Sequence, residues 1–373
     1  MMAKACSAAA SMPVTLGGEA GIGIPFTAAV ESRGFGPDPP TYIHIGLDPA
    51  ATRTIGMTEH IQGRRKDRLV YRQEDDTNER RLVGQFDDLV AGALDLASTW
   101  DAIAHRCGEP TCPTSACARE ASLLPAQVDQ PDRVMRAIVD DAVLYITAAA
   151  QQLRALVCLV GPEIVLTGWT VTRTLAEHCG RVTWLLDPDT PPEGRLARSY
   201  MERIVSIQMA RLALASKGQQ AFAKQLKRER EALIARARRS FPDLELFDVE
   251  ALNEWSVGGE QYASLGRAVN DLGRKRLSTK RLYDTLSTFT HPSIYRLSAQ
   301  TRSAPHDNHV RRQFYADPET VRWQFATACL CVQQAALDVV SYLELDAAPL
   351  DEWAERNPAL LNWPRQARSA ETN

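Results

Sequence analysis

A chain of 373 residues, 45% apolar and 24% charged, has the composition of a folded globular protein and the length for one large or two ordinary domains. Its net charge of −3 conceals an asymmetry: residues 195–312 carry 22 Lys/Arg against 12 Asp/Glu, and the remainder 21 against 34. Eight cysteines are too sparse for a disulfide scaffold, and no apolar run reaches the roughly 18 residues of a bilayer span. The expected location is the cytoplasm, with no membrane partner. The basic middle is either a site for nucleic acid or another polyanion, or the solvated face of a long helix.

Residues 1–60 are expected to be mostly disordered, because GGEAGIGIP and GFGPDPP are Gly/Pro-rich. A charged connector follows, QGRRKDRLVYRQEDDTNERRL at 61–81, then a helix over about 83–105 and a Cys-containing loop up to residue 130. The main helical bundle is expected over 131–346. Asp132 is read as the cap of a helix over 133–160, followed by helices over 163–186 and 193–239, the last bent near Ser216–Gly218. Pro242 and Gly258-Gly259 make 240–277 read as irregular. A helix from Ser278 must stop at Pro292, and another begins at Asp317-Pro318 and runs to about 344. Residues 347–373 are read as a short helix and tail. With no strand-like alternation and no repeat, the expected fold is an all-α helical bundle.

Two stretches carry candidate site residues. In YDTLSTFTHPS, Tyr283, Ser287 and His291 recur every four residues and share one helical stripe. His291 at the helix end fits either general acid/base work or a C-terminal cap bonding the last carbonyls. In GPEIVLTGWTVTRTLAEHCGRVTWLLDP, the helix is apolar nearly all round, yet Arg173 and Glu177 lie on a side between Trp169 and Trp184. Buried charges require partners. Glu177 with Arg181 is the better-oriented local pair, leaving Arg173 to reach another helix. The expectation is that Arg173, Glu177, Tyr283, Ser287 and His291 converge, with Arg198 nearby. His178 lies on the apolar stripe and reads as a satisfied core histidine.

Four soft ligands in HRCGEPTCPTSAC, His105, Cys107, Cys112 and Cys117, suit a tetrahedral zinc site or else are reduced thiols in a loop. Cys158, Cys179, Cys329 and Cys331 read as small buried hydrophobes. No P-loop, dinucleotide fingerprint, GxSxG elbow or HExxH motif is present, so no further cofactor is expected.

The R-x3-E and W-L-L-D-P residues (Arg173, Glu177, Trp184–Pro188), the basic helix from Arg195 and Arg198, and Y-x3-S-x3-H resemble a group of mainly actinobacterial helical proteins without an assigned activity. The resemblance covers roughly 130–345. A looser similarity is to the HEPN helical proteins, many of them ribonucleases, whose R-x4–6-H hallmark matches Arg173 with His178, Arg53 with His60 and Arg302 with His309. Three functions follow as expectations: a regulatory or interaction protein, a metal-independent ribonuclease using His291 or His178, or a pocket protein gripping a small anion with Arg173. Homo-oligomerisation is compatible with each.

Overall fold

The computed structural model describes residues 86–160, 166–291, 293–306, 309–314 and 318–361. The expected disorder of 1–60, the connector at 61–81, the Asp317 cap and the tail beyond 361 lie outside them. Among the described residues the chain is a helical bundle of eleven α-helices with two small antiparallel hairpins.

Helix α1 (Asp87–Arg106) buries Leu89, Ala93, Leu96, Ala97, Trp100 and Ile103, the three- and four-residue spacing of a core-facing stripe. A six-residue helix α2 (Ala116–Ala121) is capped by Ser115, whose side chain accepts from the Ala118 N–H at 3.2 Å. Helix α3 (Pro131–Cys158) starts one residue before the expected cap. Pro131 occupies its first turn, where a missing N–H costs nothing, and Gln130 enters in a left-handed conformation, so Asp132 is inside the helix.

Helix α4 (Thr167–Leu185) is the hub. It packs along α3, along α10 (Pro318–Leu343), along α7 (Leu265–Arg276) and along α8 (Leu282–Thr290), and accordingly buries twelve of its nineteen residues. Gly180 permits the closest approach: a β-carbon there would lie 2.9 Å from the Ala268 carbonyl carbon and the Val269 nitrogen of α7. Helix α10 is long and apolar enough to cross a bilayer by length and composition, and 72% of that stretch is buried in the bundle.

The bundle is not confined to 131–346. Trp100 of α1 and Trp353 of α11 (Ala348–Arg356) are fully buried in the same core, and the Trp353 indole N–H donates to the Gly92 carbonyl at 2.8 Å.

Three further expectations are corrected. The long pattern at 193–239 is two helices, α5 (Pro192–Ser216) and α6 (Gln220–Ser240), which fold back on each other. Gly218 adopts φ +73° between them, a conformation that ends a helix rather than bending it. The segment read as irregular contains α7, whose start is capped by Ser264 accepting from the Arg267 N–H at 3.2 Å. Only its first part is irregular: a 3₁₀ turn at Val249–Glu254 and the two-residue strands β1 (Ser256–Val257) and β2 (Glu260–Gln261). After the short helix α9 (Ile294–Ala299), a hairpin pairs β3 (Thr301–His306) with β4 (His309–Phe314), in register from Thr301↔Phe314 to His306↔His309. Its sequence does not alternate in polarity, so no strand was legible there. Cys179, Cys329 and Cys331 are buried as expected, whereas Cys158 is exposed at the end of α3.

Candidate functional site

Helix α8 is nine residues long and begins at Leu282 rather than Ser278. Arg281 enters it with φ 57° and provides no side-chain cap; Asn270 of α7 instead accepts the Tyr283 N–H at 2.9 Å. Leu282 and Leu286 bury one face, and Phe289 stacks on Trp169 of α4 with ring centroids 3.9 Å apart and planes 6° from parallel. This packing brings the polar stripe of α8 against Arg173.

The Arg173 guanidinium distributes its donors over both helices. Nε donates to Glu177 at 3.0 Å, one terminal nitrogen to the Tyr283 hydroxyl at 2.6 Å, and the other to Thr290 Oγ1 at 2.8 Å. That second terminal nitrogen is also 3.5 Å from His291 Nε2. The guanidinium carbon lies 4.8 Å from the Tyr283 ring centre. Arg173 and Glu177 side chains retain only 20% and 16% exposure, so the pair is formed where water competes weakly.

The expected convergence therefore holds for Arg173, Glu177, Tyr283 and His291, with two adjustments. Ser287 is on the stripe, but its hydroxyl is buried without a hydrogen-bond partner among the described residues; its carbonyl instead accepts from Thr290 Oγ1 and the His291 N–H. Thr290 takes the place expected for Ser287. It is seven residues from Tyr283 and so on the same face, a signal present in the stretch but masked by its Ser and His. His291 is the C-terminal cap residue of α8, extended and exposed.

Arg198 does not join this cluster. Its Nε donates to Glu260 at 2.8 Å, and one terminal nitrogen donates to the Trp184 carbonyl at 2.6 Å and lies 3.6 Å from Asp187. Lys275 completes this second network at 2.6 Å from Asp187 and 3.1 Å from Asp189. Burial works against the Asp187 charge, but Lys275 and Arg198 outweigh it and hold the carboxyl below its ordinary value.

The expected Glu177–Arg181 pair is also replaced. Arg181 is nearly fully buried and turns to Glu202 at 3.5 Å, the Ala263 carbonyl at 2.7 Å and the Tyr262 hydroxyl at 2.7 Å. Tyr145 donates to the same Glu202, and burial together with that carboxylate raises the Tyr145 hydroxyl far above its usual range. A residue four positions along the helix loses this competition because α5 offers a carboxylate within the core. His178 is half-buried, with Nδ1 2.7 Å from the Thr174 carbonyl and its ring edge-on to Tyr145. Arg173 and His178, though they match the R-x4–6-H spacing, therefore have different partners. Arg53 and His60 lie outside the described residues, and Arg302 and His309 stand on opposite strands of the β3–β4 hairpin.

The Cys loop shows no gathered ligand set. Cys107 and Cys117 are buried, and burial pushes each thiol up to about 11. Cys112 instead contacts Thr114 at 3.1 Å and Glu344 at 3.6 Å. Among the described residues no three His, Cys, Asp or Glu side chains are grouped as a metal ion requires.

Two clefts lie elsewhere, one of about 460 Å³ between α2 and the 188–192 turn, the other of about 400 Å³ over the Asp187–Arg198–Lys275 network. Neither is lined by Arg173, Glu177, Tyr283, Ser287 or His291. Comparison of the chain with protein-family models, curated proteins and solved structures finds no match.

Proposed function

We propose that this is a non-enzymatic interaction protein in which the Arg173 cluster is a clamp that seats α8 on the bundle. The observation that carries the reading is the engagement of all three Arg173 nitrogens: Glu177, Tyr283 and Thr290 each take one, three of the five N–H donors. These bonds fix the guanidinium between α4 and α8, and neither cleft borders it, which favours a structural clamp over a pocket for a small anion. A charge tied by hydrogen bonds to two helices contributes to register and stability without any substrate.

One observation favours a second reading, metal-independent RNA cleavage. Arg173 and the exposed His291 lie 3.5 Å apart, a base beside a fixed positive charge. In that reaction the imidazole takes the proton of a ribose 2′-hydroxyl as its oxygen attacks the adjacent phosphorus; the P–O5′ bond breaks, leaving a 2′,3′-cyclic phosphate, and the departing 5′-oxygen takes a proton from water, while Arg173 steadies the charge that develops on the phosphate oxygens.

Incubating purified full-length protein with labelled RNA, with and without a chelator, separates the two readings. The clamp reading expects intact RNA in both lanes. Cleavage that survives chelator and disappears in His291→Ala overturns it in favour of the second.

A further inference from the structure

Helix α6 differs from every other long helix of the bundle in what it leaves uncovered. Among the described residues it packs along α5 and, grazing contacts aside, along no other helix. Its buried positions, Ala223, Leu233 and Ala237, all turn toward that single neighbour. Over 206–240, which spans the distal half of α5, the turn and all of α6, there are nine Lys/Arg and two Asp/Glu, in a chain whose net charge is −3.

These charges are not spread evenly round the helix. At about 100° per residue, Lys224, Lys227, Arg228, Arg238 and Arg239 fall within one sector of roughly 120°, beside the buried stripe. All five are exposed. Glu231 is the one acid in that sector, in a loose 3.8 Å contact with Lys227. From Lys224 to Arg239 the row is about 22 Å long at about 1.5 Å per residue.

A second observation lies at the seam between the two helices. Arg230 of α6 is half-buried, and its Nε has no hydrogen-bond partner among the described residues. Partial burial and the nearby Arg211 of α5 lower its pKa, with Glu231 opposing them, and Arg211 itself donates to the neutral side chain of Gln208. A half-buried guanidinium with an unpartnered Nε and a second cation nearby is an arrangement that a bound anion relieves.

We infer that the α5–α6 hairpin binds the phosphodiester backbone of a nucleic acid, with Lys224, Lys227, Arg228, Arg238 and Arg239 as phosphate contacts and the Arg211–Arg230 pair beside them. This rests on, and gives a partner class to, the reading of the chain as an interaction protein. A bilayer surface fits less well: Phe222 of α6 is exposed, but at about 100° per residue it lies on the side of the helix away from the cationic sector, which itself has no large apolar side chain to insert. An acidic protein fits less well too, because a stable protein interface needs an apolar centre that this sector lacks. A regularly charged polymer needs cations alone.

The test is fluorescence anisotropy of full-length protein with labelled single-stranded RNA, single-stranded DNA and duplex DNA, between about 50 and about 200 mM salt. Five phosphate contacts on a single strand predict a loss of affinity of about 100-fold across that range. Replacing the five cations by Gln should remove most of the binding and of its salt dependence. Glu231→Gln should tighten it. Preference for RNA or DNA identifies the source and supports the inference either way.

The inference is overturned if none of the three oligonucleotides binds at the lower salt, if the five-Gln protein binds like the parent, or if phosphatidylserine vesicles are bound as well as the oligonucleotides. The cleavage assay stands apart: degraded RNA overturns the interaction reading and leaves backbone binding in place, whereas intact RNA with none of the three oligonucleotides bound overturns backbone binding alone.

Discussion

Arg173 joins α4 to α8 across more than a hundred residues of chain, using hydrogen bonds to Glu177, Tyr283 and Thr290. Its truncation to Ala would leave Glu177 largely buried and uncompensated, so urea denaturation should show a loss of about 3 kcal/mol. His291→Ala, at an exposed cap, should change stability by less than about 0.5 kcal/mol. An equal loss in both variants would sink the clamp. A second pair of side chains makes the pH dependence specific. Asp187 has a lowered folded pKa, so its contribution is present above the ordinary aspartate value and lost as pH falls through the folded one. Asp338 has the opposite sign: burial raises its pKa against Arg276 and Thr183, so its contribution is present at low pH and lost as pH rises through the raised value. Unfolding midpoints between about pH 3 and about pH 7 should therefore respond oppositely to Asp187→Asn and Asp338→Asn, the first flattening the acid limb and the second steepening it.

Between elements, the contacts that decide the architecture are close approaches and single large side chains. A β-carbon at Gly180 would meet the α7 backbone at 2.9 Å, and backbone moves only with its helix. Gly180→Ala should cost about 1–3 kcal/mol and should speed amide exchange in α7 and α8 before α1. Uniform acceleration, or none, would contradict α4 as the hub against which α7 is seated. Trp353 of α11 is fully buried and bonded to the Gly92 carbonyl, and Trp353→Ala should cost about 3–5 kcal/mol. A loss under about 1 kcal/mol would mean that α11 is an appendage rather than part of the shared core.

Across the whole molecule, charge is segregated. Residues 195–312 are basic and the rest is acidic, and the structure concentrates much of the basic excess on the α5–α6 hairpin while buried ion pairs neutralise Arg195 and Arg198 at the start of α5. Salt should therefore weaken binding at the hairpin steeply while changing the unfolding midpoint little, because the buried pairs are screened far less than the exposed row. Parallel loss of binding and stability with salt would place the exposed charges in the fold itself.

Most helices were legible because burial on one face writes a three- and four-residue period into the sequence, as in Phe86, Leu89, Val90 and Ala93, although Leu94 of the same pattern is exposed. The stop before Pro292 and the start at Pro318 were legible for the same local reason, since proline cannot donate and fixes its own backbone angle. The charge asymmetry and the need of Arg173 and Glu177 for partners also followed from composition and position alone. What local pattern could not decide was competition between distant groups. Arg181 left Glu177 for Glu202, Arg198 went to Glu260 rather than to Arg173's neighbourhood, and Thr290 took the place foreseen for Ser287. Each outcome depended on which distant element, α5, the β2 strand or α8, stood within reach of the side chain, and that is set by the packing of the whole bundle.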